Sequence, residues 1–296
     1  MLSGKTSSLA CCALLLVAFA CVSWAGDSPY EHEETKKLAA LVEDAARLVE
    51  SKGEAAFAEF RVKGSRWYHG STYVFVEDDK GGEIVNPPSP NLEGTSLIGL
   101  RDAKGRPFVR SIIEALYGPN GKKSAWVHYL WPEPGAIDPS WKSSYIIRVT
   151  APSGKRYVVG SGLYNMKMER AFLVDKVNKA CALIEKSGPK AFAAIRNPIS
   201  EFVFNETYVF VNDRKGVELV NPAFPGLEGR NLMRFLNEEG LPIVRMYIDL
   251  VKKKGQGWIA YYFPKPGKKK PSLKHVYVKG AKYGGDLYIV GCGYYF

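Results

Sequence analysis

The sequence predicts an α+β fold written twice, each copy a mainly antiparallel sheet behind a long N-terminal helix. Three observations carry this. Blocks recur at a fixed shift: Thr72-Tyr73-Val74-Phe75-Val76 returns as Thr207-Tyr208-Val209-Phe210-Val211, 135 positions on, and Asn86-Pro87, Leu92-Glu93-Gly94 and the Gly and Pro of Gly105-Arg106-Pro107 return at the same distance. A repeat of this length is a duplicated domain, because solenoid units run to about 20–50 residues. Each copy then opens on an apolar spacing of three and four, and continues into short β-branched and aromatic runs bounded by Gly, Pro, Asn and Asp.

The elements follow in order. Leu38, Leu41, Val42, Ala45, Leu48 and Val49 share one helical face, and Gly53 supplies a stop; Phe172, Leu173, Val177, Ala180, Leu183 and Ile184 repeat the pattern up to Gly188-Pro189. Strands are predicted over Thr72–Val76, Glu83–Val85, Ala125–Trp131, Ser144–Val149 and Tyr157–Ser161, with Ala151-Pro152-Ser153-Gly154 as a hairpin turn. A shorter helix fits Arg110–Leu116 and, in the second copy, Val244–Lys252. The Asn-Pro and Leu-Glu-Gly blocks are loop chemistry, with Glu93 and Glu228 placed to accept backbone amides.

The N-terminus reads as an export signal over residues 1–25. Lys5 is the only charge before Asp27, Leu9 to Val22 is almost wholly apolar, and Ser23-Trp24-Ala25 is a small-x-small cleavage site. The apolar run falls short of the roughly 20 residues of a stable span. Ala18-Phe19-Ala20-Cys21 loosely matches a lipoprotein box, so anchoring through Cys21 is the alternative. No later stretch approaches transmembrane length, and the exported chain is expected to be soluble or tethered by its N-terminus.

Export changes the meaning of the charge. With 41 Lys+Arg against 30 Asp+Glu the chain carries +11, ordinarily a reason to consider nucleic acid, but an exported protein does not meet the genome. The excess lies almost entirely in the second copy: Asp27–Tyr164 holds 18 of each sign, whereas Asn165–Phe296 holds 22 basic against 12 acidic residues, concentrated at Lys252–Lys254 and Lys265–Lys270. Solvated loops explain such runs, and attraction to anionic lipid, an acidic partner or anionic solutes is the functional reading. Once the leader is gone only Cys181 and Cys292 remain, as one disulfide or two buried thiols. His32, His69, His128 and His275 sit in no HExxH or CxxC frame, and there is no nucleophile elbow or phosphate loop; no metal, cofactor or reaction class is expected.

The ordered blocks TYVFV, NP, LEG, LRDAKGRPFV, WVHYLWPEPG, WKSSYI and YVVGSGLY resemble the single Cache domain, second subtype, of bacterial extracytoplasmic sensors. The resemblance spans about residues 36–164 and again 170–296, giving a Cache-like domain 1 over 30–165 and domain 2 over 166–296. The second copy departs where Asp102 becomes Asn237 and KSSY becomes Lys274-His275-Val276-Tyr277. The resemblance implies a PAS-like sheet behind a long helix, a periplasmic location, and binding of small organic molecules such as carboxylates or amino acids.

A ligand site is read from the strands. Alternation puts Trp126, His128 and Leu130 on one face and Val127, Tyr129 and Trp131 on the other. Lys142 and Tyr145 are expected to supply a cation and a hydroxyl to a small carboxylate, with Trp126 and Tyr129 as walls; Lys274, Tyr277, Trp258 and Tyr261 repeat the set, with Phe263 as a further wall. Tyr73 and Tyr208 start the central strand and reach the same cavity, while His69, Arg110 and its counterpart Arg245 are further polar candidates. The expectation is an exported small-molecule binding protein whose ligand is a small organic anion, signalling through a membrane-bound sensor or transporter in trans. The alternative is an interaction module with side-chain-filled pockets whose basic second domain docks on a membrane or acidic partner.

Overall fold

The structure, a computed structural model, describes residues 28–296. The export signal and Cys21 lie outside the described residues.

The first copy runs α1 (Glu33–Lys52), α2 (Phe57–Phe60), β1 (Tyr68–His69), β2 (Thr72–Tyr73), β3 (Phe75–Asp78), β4 (Glu83–Val85), α3 (Phe108–Tyr117), β5 (Ser124–Pro132), β6 (Pro139–Thr150) and β7 (Arg156–Tyr164). The second repeats it as α4 (Arg170–Ser187), α5 (Phe192–Arg196), β8 (Val203–Phe204), β9 (Thr207–Asp213), β10 (Glu218–Val220), α6 (Ile243–Lys254), β11 (Gln256–Pro264), β12 (Pro271–Tyr283) and β13 (Asp286–Tyr295). All pairings are antiparallel, in the order β4-β3-β7-β6-β5 and β10-β9-β13-β12-β11, so the last strand of each copy lies in the middle of its sheet.

Each sheet is buried on both faces. Leu38, Val42, Ala45 and Val49 of α1 pack on Val74, Val76, Tyr145 and Ile147, while Val109, Ile112 and Leu116 of α3 pack on Tyr73, Phe75, Tyr129 and Ile146. Residues alternate between these layers along every strand, as a two-residue period requires. Full burial of each such aliphatic side chain contributes about 1.5–3 kcal/mol. Gly53 and Gly188 close α1 and α4 with φ of 61° and 58°, a left-handed turn that glycine adopts without steric cost.

Two details depart from the sequence expectation, and one open alternative is resolved. The run Thr72–Val76 breaks at Val74, whose N–H donates to the Trp67 carbonyl (2.9 Å) as the chain passes from pairing with β1 to pairing with β7. Strand β6 begins at Pro139, five residues before the expected Ser144, because the long β5 partner continues to offer backbone groups as far as Pro132. Lys142 therefore sits inside the strand. Both cysteines are buried free thiols; burial pushes Cys181 up to about 12 and Cys292 to about 11.

The copies are fastened to each other by polar groups. Glu169, fully buried in the connection before α4, accepts the Glu31 and His32 backbone N–H groups (2.7 and 3.0 Å) and so caps the start of α1 with a negative charge. His32 brings a nitrogen to the same spot, but it contacts the Met168 carbonyl (3.3 Å) and the Glu169 oxygens are already engaged, so this trio serves as a cap. Arg106 donates to the carbonyls of Pro198, Ser200 and Val203 at 2.6–3.2 Å, and His128 stacks on Phe204 with ring centroids 3.9 Å apart. The exposed Lys252, Lys253 and Lys254 end α6, where positive charge complements the helix dipole.

Candidate ligand pockets

The expected cation and hydroxyl pairs are not made. Lys142 and Tyr145 stand three apart on β6, and an odd separation on a strand sends side chains to opposite faces. Tyr145 lies opposite Trp126 in the layer beneath α1, while Lys142 lies opposite Tyr129 in the layer beneath α3. The second copy divides identically: Tyr277 pairs with Trp258 under α4, and Lys274 pairs with Tyr261 on the α6 side. Thus Tyr73, Tyr129 and Lys142 meet, as do Tyr208, Tyr261 and Lys274, whereas Trp126, Tyr145, Trp258 and Tyr277 belong to the opposite layers. Arg110 and Arg245 point to solvent from α3 and α6, Arg245 toward Asp249 (3.7 Å), and His69 is exposed.

What remains is a buried lysine in each copy. Lys142 and Lys274 are each only 1% exposed. Lys142 Nζ donates to the Tyr73 hydroxyl (2.8 Å) and sits 4.0 Å above that ring; Lys274 Nζ donates to the Tyr208 hydroxyl (2.9 Å) and sits 4.1 Å above its ring. Among the described residues neither ammonium has a carboxylate oxygen within 4.0 Å. Burial pulls Lys274 down to about 7, because the charged form has left water and the Glu218 carboxyl, beyond 4.0 Å, offsets only part of that. Tyr73 is pushed up to about 12 by burial, and Tyr208 and Tyr261 are also raised by burial, so these phenols stay protonated donors.

The lysine stems need room, and two glycines make it. A Cβ on Gly162 would stand 2.6 Å from Lys142 Cε, and one on Gly293 would stand 2.7 Å from Lys274 Cε. The neighbouring Gly160 and Gly291 make space for the rings of Phe75 and Phe210. The Gly-Ser-Gly and Gly-Cys-Gly triplets of the central strands are thus the groove in which the lysine lies.

In the second copy Lys274 borders a cavity of about 70 Å³. Tyr208, Tyr261, Tyr247 and Phe263 wall it, and Glu218 and Asn221 stand at one side. Asn212 and Asn221 donate to the two Glu218 oxygens (2.6 and 2.8 Å), and the Tyr247 hydroxyl donates to Asn212 Oδ1 (2.7 Å). Burial raises Glu218 to about 7, partly offset by those amides. At the matching place in the first copy Phe108 replaces Ile243 and stacks on Tyr129 with centroids 4.4 Å apart, filling space beside the phenol. The Leu-Glu-Gly glutamates do accept amides: Glu93 from Asn86 (2.8 Å) and Glu228 from Asn221 (2.7 Å).

A larger cleft of about 720 Å³ separates the copies, bordered by Tyr30, Trp126, Tyr145, Phe172 and His128. Its lysines are already engaged: Lys176 donates to the Glu201 carbonyl, and Lys179 is held by Asp175 (3.0 Å) and Glu201 (2.7 Å).

The two doubly covered antiparallel sheets form a tandem repeat of one α+β module. The chain belongs to the Cache domain family, whose model matches residues 57–171 and 175–296. It is 30% identical over 103 residues to the methyl-accepting chemotaxis protein McpP of Pseudomonas putida, matching 35% of this chain and spanning 18% of that relative's length. Similar solved structures include one described as the structural basis for carboxylic acid recognition by a Cache chemosensory domain (26% identity, TM-score 0.37, covering 42% of this chain and 90% of that one). Another is a periplasmic sensor domain of a chemotaxis protein (28% identity, TM-score 0.35, covering 45% and 91%).

Proposed function

We propose that this chain is an exported, sensor-type binding protein that holds a small organic anion, a carboxylate or an amino acid, in the second-copy cavity against Lys274. The carrying observation is the lysine itself. A fully buried ammonium in contact with a phenol, with the Glu218 carboxyl of the same cavity beyond 4.0 Å, is costly, and an anion entering the cavity would give it a direct ion pair. The Tyr208 and Tyr261 hydroxyls add neutral donors, and 70 Å³ suits a ligand of few heavy atoms. Cache membership supports the reading, because modules of this family are small-molecule sensors. No described helix is long and apolar enough to cross a membrane. A membrane-bound sensor or transporter is the proposed partner, met in the periplasm.

The test is a thermal-shift panel of small carboxylates and amino acids on the mature chain, at concentrations well above micromolar. At one hundred times Kd a ligand stabilises by about 2.7 kcal/mol, which such a scan resolves. Stabilisation that vanishes in Lys274→Met supports the assignment; an unresponsive wild-type protein refutes it.

A further inference from the structure

The cleft between the copies follows a strand that has one neighbour. Among the described residues β5 ends the first sheet and pairs with β6 alone. Parity decides which of its backbone groups stay free. The Lys123 carbonyl accepts from the Arg148 N–H (3.0 Å), so odd-numbered residues bond inward to β6, while the even-numbered Leu130 N–H turns outward to the Asp102 carboxylate (3.1 Å). By the same parity the N–H and C=O groups of Trp126 and His128 point away from the sheet, and Ser124 to His128 in unbroken succession border the cleft. At about 3.3 Å per residue this free edge is roughly 13 Å long.

The opposite wall is α4, which presents Phe172 and Lys176 one helical turn apart. Phe172 meets Trp126 with ring centroids 5.0 Å apart, and Tyr145 meets it at 5.2 Å, so the trough is aromatic along one side. Lys179 is spent on Asp175 and Glu201, whereas Lys176, 4% exposed, donates to the neutral Glu201 carbonyl and lies 4.4 Å over the Phe204 ring. Among the described residues no carboxylate oxygen stands within 4.0 Å of its Nζ, and two of its three hydrogens have no acceptor. Burial pulls this ammonium down to about 8, and the Glu201 carboxyl, beyond 4.0 Å, offsets only part of that.

These are the needs of an extended backbone: a row of free donors and acceptors, an apolar wall, and a cation for one terminus. We propose that the cleft binds a short peptide as a sixth strand added to β5, paired with Trp126 and His128, with an aromatic side chain against Trp126 and Phe172 and its C-terminal carboxylate on Lys176. Roughly three or four residues span the edge. The site lies between the copies and is separate from the Lys274 cavity, with about 720 Å³ against about 70 Å³. A peptide there touches both copies and holds them in one arrangement.

The experiment is calorimetric titration of the mature chain with the tripeptides Ala-Ala-Phe, Ala-Phe-Ala and Phe-Ala-Ala, their C-terminal amides, their forms N-methylated at either internal amide, and 3-phenylpropionate. At least one free-acid tripeptide should bind the parent and Lys274→Met alike. Its amide should bind about tenfold more weakly or worse, the loss of a charge-assisted hydrogen bond, and Lys176→Met should erase that difference. One of the two N-methylations should also weaken it about tenfold or more. In the parent chain, hydrogen exchange at the Trp126 and His128 amides should slow when the peptide is added, a readout that does not depend on any variant folding. The proposal is overturned if no tripeptide binds, if both N-methylated forms bind as tightly as their parent, or if exchange at those two amides is unchanged. Equal affinity for 3-phenylpropionate overturns it in favour of a simple aromatic-acid site, and peptide binding lost in Lys274→Met overturns it in favour of the second-copy cavity. Tripeptide binding with slowed exchange in a chain that takes no small carboxylate supports this site while refuting the function above.

Discussion

Replacing Lys274 with Met removes a buried charge while keeping most of the side chain's volume. The depression from 10.5 to about 7 corresponds to roughly 4–5 kcal/mol of cost for holding the ammonium away from water. Between pH 7 and 10.5 the unfolded chain binds a proton that the native chain does not, so stability rises with pH across that window. The full cost is present below pH 7. Lys274→Met escapes it and loses the Tyr208 hydrogen bond, worth about 1 kcal/mol. The variant should therefore be more stable than the parent by about 3 kcal/mol at pH 6, with the advantage fading to nearly nothing by about pH 10. At about 2–4 °C per kcal/mol this is a rise of roughly 6–12 °C in Tm at pH 6. Circular-dichroism melts from pH 5 to 10, with and without the best carboxylate of the panel, read both quantities. A variant that is less stable at pH 6, or one that keeps the ligand-induced shift, would refute the argument that this lysine is retained at a cost in order to meet an anion.

Glu169→Ala uncovers two amides at the head of α1 and should cost about 1–2 kcal/mol in urea unfolding; a loss under 0.5 kcal/mol would deny Glu169 its fastening role. Burial, with Lys176, Lys179 and Arg106 nearby, holds His128 well below the usual imidazole range. The unfolded state takes up a proton as pH falls through about 6.5 and the native ring does not, so stability should decline below that pH while the native imidazole resonances stay constant down to pH 5.5; a native midpoint near 6.5 would contradict this. Cys181 and Cys292 should resist Ellman's reagent until the chain unfolds, and rapid labelling of either in native protein would count against their buried placement.

The helix faces were legible because Leu38, Val42, Ala45 and Val49 repeat at a helical period and meet a sheet that also announces its alternation. The duplication made each element visible twice. The sequence groups the lysines with the tyrosines at 73 and 208, which the structure brings into contact, but not with their other neighbours, because parity along a strand, and not spacing alone, decides the face. Tyr129 and Tyr261 reach the lysines across strands, a relation set by register and invisible before β5 is paired with β6. Asn212 and Glu218 escaped notice because a carboxylate on an edge strand normally faces water, and only the helix α6 packed over that face buries it.

The glycine triplets carry a consequence for descent. A Cβ at Gly162 or Gly293 would meet the lysine stem crossing it and also Ser144 Oγ (2.6 Å) or the His275 carbonyl (2.8 Å), so each glycine is held by its neighbours on the sheet as well as by the lysine. In a relative that keeps the lysine, a residue larger than glycine at either position would declare from the sequence alone that the lysine stem takes another path.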